Sequence, residues 1–150
     1  MDFTEIFKQT SGVVAFSPGT RFILTAIYDR LVIRQADTFQ ITRSWQISPE
    51  PPPQQGSSRQ PGAVRAVNQS GQGETTISHA SWSCDSEYIL VACAKRGIVD
   101  VFKLRDETWN ARIMAGAEGL TKAEWAPDGR TVICFSAWGV SPPFIGVYCV

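Results

Sequence analysis

One small group of side chains has the residue types for hydrolytic chemistry. The single histidine, His79, stands close to Ser81 and Asp85, and serine, histidine and aspartate are the members of a hydrolase triad. In such a triad the histidine takes the serine proton, and the carboxylate orients the histidine. Nothing around Ser81 resembles a nucleophile elbow, and close neighbours in one strand alternate between its two faces. The sequence therefore favours a structural role for His79, and no catalytic residue and no enzyme activity are expected.

Cofactor and metal sites are equally hard to build from this sequence. No GxGxxG or GxxxxGK[ST] motif occurs, and Gly71-Gln72-Gly73 precedes no helix, so no phosphate cradle and no cofactor are expected. The cysteines form no CxxC pair, and each stands in or beside an apolar run. This favours buried free thiols over a zinc site, so no metal is expected. The four are Cys84, Cys93, Cys134 and Cys149.

The balance of charge restricts the expected partners. Lys and Arg number 14, and so do Asp and Glu, so the chain has no overall positive field to attract nucleic acid or an anionic membrane. Hydrophobic residues make up 43% of the chain, which is typical of a globular protein. The longest apolar run, Tyr88 to Ala94, is too short to cross a bilayer. A soluble domain with protein partners is therefore the expected class.

One structural unit occurs three times along the chain. In each copy an aromatic residue is followed by a small residue, a tight turn and an apolar run. Proline, glycine and aspartate suit the turn, and β-branched and aromatic residues suit the strands beside it. Trp82 and Trp125 are 43 residues apart, within the ~40–45-residue period of a four-stranded WD-type blade. The three copies are 14–24, 80–90 and 123–133.

These repeats predict an all-β fold, a WD40-type β-propeller of about three N-terminal blades in an incomplete ring. We expect an N-terminal strand and blade 1 in residues 1–47, blade 2 in 76–116 and a partial blade 3 in 117–150. A β-sandwich also uses short strands and turns and is the alternative, but the 43-residue spacing favours the propeller. Third strands are expected at 31–34, 98–102 and 145–148, and fourth strands at 39–45 and 109–114.

The stretch 48–75 differs in composition from the repeats. It is rich in Pro, Gln, Ser and Gly, and it cannot bury enough apolar surface to fold. We expect a disordered loop between blades 1 and 2. Its Pro51-Pro52-Pro53 run could be a polyproline ligand, and Ser48-Pro49 could be a phosphorylation site. A passive insertion is the favoured interpretation of both features.

The repeat gives a structural role to a first group of residues. Aspartate and glycine suit the turns. The aromatics close the first strand of each blade, whose inward side chains fill the core. His79 is expected to tie a hydrogen-bond network near Trp82. The predicted structural positions are Phe16, His79, Trp82, Asp85, Trp125, Asp128 and Gly129.

A second group of residues could contact partners, because the turns of propellers often carry such contacts. Asp29-Arg30 and Lys95-Arg96-Gly97 occupy matching turns after the second strands of blades 1 and 2, although a solvated turn is the simpler interpretation. Three tryptophans, Trp45, Trp109 and Trp138, lie outside the repeat, and packing between blades explains them more simply than a partner hot spot. The candidate partner contacts are Arg30, Lys95, Arg96 and Trp109.

Several segments together resemble the WD repeat-containing protein eight family. They are 78–86, Lys95-Arg96-Gly97, Glu107-Thr108-Trp109-Asn110 and 125–130, and the similarity covers residues 1–47 and 76–140. The resemblance implies a non-catalytic scaffold of the cytoplasm and cytoskeleton, at the centrosome or the spindle pole body. It implies a role in microtubule minus-end anchoring and spindle organisation with a coiled-coil protein partner. A generic WD interaction module of another complex is the alternative.

Both ends of the chain carry expectations of their own. Thr4 to Lys8 looks like a strand that would complete the last blade of a closed ring. The resemblance fades after Val140, and two prolines follow Ser141, so we expect the tail from about Ser141 not to be family sequence. A propeller needs roughly four to eight blades to close. The chain is therefore expected to be a fragment, or a truncated nonfunctional product, of marginal stability alone.

Overall fold

The structure is a computed structural model that describes residues 12–48, 76–115, 120–136 and 145–150. In these ranges eleven strands form three antiparallel sheets. Blade 1 contains β1 (Val13–Phe16), β2 (Phe22–Ile27), β3 (Arg30–Gln35) and β4 (Ile41–Gln46). Blade 2 contains β5 (His79–Trp82), β6 (Tyr88–Cys93), a short 3₁₀ helix (Ala94–Arg96), β7 (Ile98–Lys103) and β8 (Asn110–Met114). Blade 3 contains β9 (Leu120–Trp125), β10 (Thr131–Ser136) and β11 (Ile145–Cys149).

Each sheet is a meander in which consecutive strands pair. The order is β1-β2-β3-β4 in blade 1, β5-β6-β7-β8 in blade 2 and β9-β10-β11 in blade 3. The first strands β1, β5 and β9 lie side by side from blade to blade. The predicted all-β propeller of about three blades in an open ring is confirmed.

The third and fourth strands lie close to their predicted positions. The third strands β3, β7 and β11 cover the expected segments. The fourth strands begin slightly late, β4 at Ile41 rather than Phe39 and β8 at Asn110 rather than Trp109. Phe39 has a φ of 57°, which places it in the turn after β3. A left-handed residue cannot continue the extended ladder, so β4 starts after it.

The core lies between the blades rather than within one sheet. Strand β6 alternates its side chains, so that Ile89 and Val91 pack in the cluster toward blade 1, and Leu90 and Ala92 pack in the cluster toward blade 3. Residues on the two faces of a strand alternate, and a sheet covered on both faces therefore reads as a continuous apolar run. This explains the unbroken sequence of β6, which has the longest apolar run of the chain.

The outward faces of the two end blades expose apolar side chains. On blade 1, Val14 is 51% and Phe16 is 60% exposed. On blade 3, Ile145 is 54% and Val147 is 64% exposed. Blade 2 has partners on both faces, whereas each of the end blades has a described partner on one face only.

Some predicted features fall outside the described residues. They include the Thr4–Lys8 strand, Trp138, the 141–144 segment and all but the first residue of the 48–75 loop. That first residue, Ser48, is held to blade 2, because the Arg112 guanidinium donates to its carbonyl oxygen at 3.0 Å. The described part of the tail, residues 145–150, continues blade 3, since β11 pairs with β10 from Ile145 to Cys149.

Candidate functional site

The same tight turn joins the first two strands of every blade. The amide of Thr20 donates to the carbonyl of Ser17 at 2.8 Å, and Ser86 donates to Ser83 at 3.0 Å. Gly129 donates to the carbonyl of Ala126 at 3.1 Å in the same way. Thr20, Ser86 and Gly129 all have a positive φ, of 55°, 61° and 67°. The three turns therefore place equivalent side chains at the same end of the blades, which we call the turn end.

Two different devices stabilise these turns. In blades 1 and 2 a buried serine hydroxyl accepts the amide of the first residue of the second strand, Ser17 from Phe22 at 3.1 Å and Ser83 from Tyr88 at 2.9 Å. Blade 3 has an alanine at this position, and Asp128 acts instead. Its carboxylate accepts the Thr131 hydroxyl at 2.6 Å and the amides of Arg130 and Thr131 at 2.9 Å. These hydrogen bonds hold the pKa of Asp128 below its usual value.

The first-strand aromatics connect each blade to the one before it. The indole Nε1 of Trp82 donates to the carbonyl of Ala15 in blade 1 at 3.3 Å. The indole Nε1 of Trp125 donates to the carbonyl of Ser81 in blade 2 at 3.4 Å. Phe16 is different from what the repeat predicts, because its ring is exposed rather than part of the core. It stands on the outward face of blade 1, where no described blade precedes it.

A charged cluster closes the turn end between blades 2 and 3. The guanidinium of Arg130 lies over the Tyr88 ring, 4.8 Å from its centroid. Arg130 also makes ion pairs with Asp85 at 3.3 Å and with Glu87 at 3.4 Å. Glu87 has a second ion pair, with Lys103 at 3.5 Å. Burial raises the pKa of Asp85, but the Ser83 hydroxyl, the Glu87 amide and Arg130 outweigh it, so the pKa lies below its usual value.

The turn end between blades 1 and 2 is open instead. It contains a cavity of about 670 Å³, whose walls are the turns of both blades. Three arginines line it, Arg21 and Arg43 from blade 1 and Arg105 from blade 2. A second cavity of about 430 Å³ lies beside it in blade 1 and also includes Arg21. Sequence reasoning did not single out these arginines, because they are far apart in the chain and form no motif.

His79 and Ser81 do not form the chemical pair that their spacing allowed. His79 is exposed at the start of β5, and no hydrogen bond of its side chain occurs in the ranges that the structure describes. The described residues do not include the hydrogen-bond network expected at His79, and its structural role stays a prediction. The Ser81 hydroxyl is buried without a hydrogen-bond partner among the described residues. The Asp85 carboxylate instead stabilises the turn between β5 and β6, where it accepts a hydrogen bond from the Ser83 hydroxyl at 2.6 Å.

The cysteines differ in burial but not in chemical state. Cys93 and Cys134 are buried, Cys84 and Cys149 are exposed, and all four are free thiols. Burial raises the pKa of Cys93 to about 11, with a smaller effect from the Asp100 carboxylate. Burial also raises the pKa of Cys134. Within the described ranges no three His, Cys, Asp or Glu side chains form a group that could hold a metal ion.

The four candidate partner contacts divide into two kinds. Arg30 and Lys95 are exposed, at the end of the blades opposite the turn end, and Arg96 beside Lys95 is half-buried. Trp109 is half-buried and packs edge-on against Tyr88, with the ring centroids 5.4 Å apart. Trp45 is buried and stacks on Phe102 of blade 2 at 5.1 Å. The described tryptophans outside the repeat therefore pack inside the molecule.

The stacked antiparallel meanders, two of four strands and one of three, and the repeated turn define a class of fold. This class is the β-propeller fold, with a ring that is open in the described residues. No protein-family model matches the sequence. Among the residues that the structure describes, no helix is both long enough and apolar enough to cross a membrane.

A mouse protein is similar in sequence to most of the length of this chain. The chain is 31% identical over 133 residues to a protein of Mus musculus named WD repeat-containing protein WRAP73. The match covers 89% of this chain and 23% of the mouse protein, so the chain spans under a quarter of that relative's length.

Solved structures share the fold at low identity. The β-propeller domain of Myceliophthora thermophila Cps50 (Swd1) superposes with a TM-score of 0.57 and 19% identity, covering 97% of this chain and 40% of that one. Hydrazine synthase of Kuenenia stuttgartiensis superposes with a TM-score of 0.61 and 15% identity, covering 91% of this chain and 33% of that one. Likenesses at this identity show the fold alone, and no activity passes from them to this chain.

Proposed function

We propose that this protein is a non-catalytic WD-repeat scaffold for protein–protein interaction at the spindle pole or centrosome. In this role it takes part in microtubule minus-end anchoring and spindle organisation and binds a coiled-coil protein partner. It acts in the cytoplasm and cytoskeleton, without a cofactor, and does not act on nucleic acid or membranes.

The observation that carries this proposal is the 31% identity to a WD repeat-containing protein over 89% of the chain. WD-repeat propellers typically present rigid surfaces to other proteins rather than catalysing reactions. The resemblance of the 78–86, 95–97 and 107–110 segments to the WD repeat-containing protein eight family supports the spindle-pole part of the proposal.

The geometry of the candidate site is consistent with a scaffold. At the turn end, Arg130 holds blades 2 and 3 together through ion pairs and a ring contact. Other arginines there line the open cavity between blades 1 and 2. Arg30 and Lys95 at the opposite end are exposed and remain candidate partner contacts. A rigid sheet stack that presents exposed turns at both ends suits recognition of other proteins.

Localisation of the full protein tests the proposal. A fluorescent tag at the native locus should concentrate at spindle poles in mitosis, and proximity labelling should modify a coiled-coil protein there. Lys95→Glu should reduce the pole signal, whereas Lys122→Glu, an equal charge reversal at an exposed lysine of β9, should leave it unchanged. If the tagged protein is diffuse and proximity labelling modifies a different complex, the spindle-pole role is wrong. The protein is then a generic WD interaction module of that complex.

A further inference from the structure

The cavity between blades 1 and 2 combines positive charge with an apolar wall. Its lining includes Arg21, Arg43 and Arg105, and also the side chains of Phe22 and Leu104. The Phe22 ring stacks on Trp82, which does not line the cavity, with 6.3 Å between the ring centroids. The volume of about 670 Å³ lies within the range of preformed ligand sites, which bind through an apolar surface and a few placed polar groups.

The acids in the cavity wall are already neutralised from outside it. Glu87 pairs with Lys103 and Arg130, and Asp85 pairs with Arg130 and accepts the Ser83 hydroxyl. Neither Lys103 nor Arg130 lines the cavity. The two carboxylates are therefore already paired with other cations, which weakens their attraction for the arginines across the cavity.

The arginines in the wall lack such compensation. Arg43 donates only to backbone oxygens, to the carbonyl of Leu104 at 3.3 Å and to that of Thr42 at 3.2 Å. The side chains of Arg21 and Arg105 are exposed and make no hydrogen bond or ion pair within the ranges that the structure describes. The guanidinium groups of Arg21 and Arg105 are therefore available for an anion, and a guanidinium matches a carboxylate or a phosphate through two parallel hydrogen bonds.

We propose that this cavity binds an acidic segment of a protein partner, with its anionic groups on Arg21 and Arg105 and an apolar side chain on Phe22. The proposal rests on the scaffold function proposed above and names the chemistry of one partner site. A peptide fits better than a nucleic acid, because the chain has no net positive charge and the cavity is partly apolar. The anionic groups are carboxylates or phosphates on the same kind of segment.

Fluorescence anisotropy with the full protein tests this proposal. The probes are short labelled peptides of Asp and Glu around one Leu, the same peptide with Asn and Gln, a phosphoserine version, and a single-stranded RNA of equal charge. The acidic or the phosphorylated peptide should bind, and the neutral peptide should not. Comparison of the acidic and phosphorylated peptides identifies which anion the arginines prefer.

A cavity variant and a control variant outside the cavity locate the site. The Arg21→Gln/Arg105→Gln variant should bind the preferred peptide at least about tenfold more weakly, because charge-assisted hydrogen bonds are lost. The Lys122→Gln variant removes a positive charge from an exposed side chain of β9 outside the cavity and should bind within about twofold of the unaltered protein. The three altered side chains are exposed, and an unchanged thermal transition of both variants shows that the fold is kept.

Each contrary result overturns the proposal in its own way. Equal weakening per charge removed in the cavity variant and in Lys122→Gln means that the peptide responds to net charge alone. Unchanged binding in the Arg21→Gln/Arg105→Gln variant means that the cavity is not the site. RNA binding that depends on Arg21 and Arg105 assigns the cavity to nucleic acid. Failure of the cavity proposal leaves spindle-pole localisation intact, and failure of localisation leaves cavity-dependent peptide binding intact, so the two proposals fail separately.

Discussion

The two junctions of blade 2, with blade 1 and with blade 3, are built from the same repeat but differ in their side-chain contacts. Toward blade 1, Trp82 stacks on Phe22 and Trp45 stacks on Phe102, and the turn end stays open. Toward blade 3, Arg130 covers Tyr88 and closes the turn end. The first junction is therefore mainly apolar, and the second adds an electrostatic clamp.

A single repeat position explains much of this difference. The residue that precedes the second strand is Arg21 in blade 1, Glu87 in blade 2 and Arg130 in blade 3. Arg130 reaches back to Glu87, but Glu87 is taken by Arg130 and Lys103 and leaves Arg21 unpaired. Because one carboxylate serves two cations, closing one junction leaves the other open to an outside anion.

The largest effect is expected from Trp82→Ala. Trp82 is buried in the apolar junction, so its loss should lower the free energy of unfolding by about 3–5 kcal/mol. Trp125→Ala, at the half-buried equivalent position, should cost about 1–2 kcal/mol. Urea denaturation followed by circular dichroism measures both. Equal losses would contradict the assignment of apolar packing mainly to the first junction.

A smaller effect is expected from Gly129→Ser. Gly129 has a φ of 67°, and a Cβ there would lie 2.7 Å from the Cys84 sulfur across the second junction. The substitution should cost about 1–3 kcal/mol through backbone strain and this clash. Adding Cys84→Ala should restore the part that is due to the clash. Ser86→Gly, at the equivalent turn facing the open cavity, should change stability by less than about 1 kcal/mol.

A salt-dependent effect is expected from Arg130→Gln. The variant loses the exposed ion pairs to Asp85 and Glu87 and the contact with Tyr88, so its melting temperature should fall slightly at low salt. The difference from the unaltered protein should shrink in concentrated salt, since screening weakens exposed pairs. Arg21→Gln, which removes an unpaired arginine, should not lower the melting temperature. A salt-independent loss in Arg130→Gln would assign the clamp to packing alone.

The smallest effect is expected from the titration of Asp85. Its pKa is lower in the folded protein than in the unfolded chain, so its stabilising contribution is present above pH ~4 and is lost as the pH falls through the folded value. Asp85→Asn should therefore make the melting temperature less sensitive to pH between about 5 and 2.5. Thermal scans of both proteins across this range measure the difference. Identical pH profiles would mean that the Ser83 hydroxyl, the Glu87 amide and Arg130 do not lower the pKa of Asp85 in solution.

The sequence predicts the repeated parts of this molecule better than its junctions. Spacing and turn residues predict the hairpins around Trp82 and Trp125, because tight turns and alternating strands depend on local residues. The role of Phe16 could not be predicted from its aromatic type, since its burial depends on whether a blade stands before it. The cavity was equally hidden, because Arg21, Arg43 and Arg105 meet only after the blades stack. A charge comparison at equivalent repeat positions would have singled out Arg21.

The alternating signs at the turn end also determine which blades can stand next to each other. A sheet that carries Arg130 fits beside one that offers Glu87, but beside blade 1 it would bring two guanidinium groups, Arg130 and Arg21, together. Like charges in contact disfavour that arrangement. A folding chain, or two chains that exchange segments, therefore meets electrostatic repulsion if blade 3 packs on blade 1 in place of blade 2.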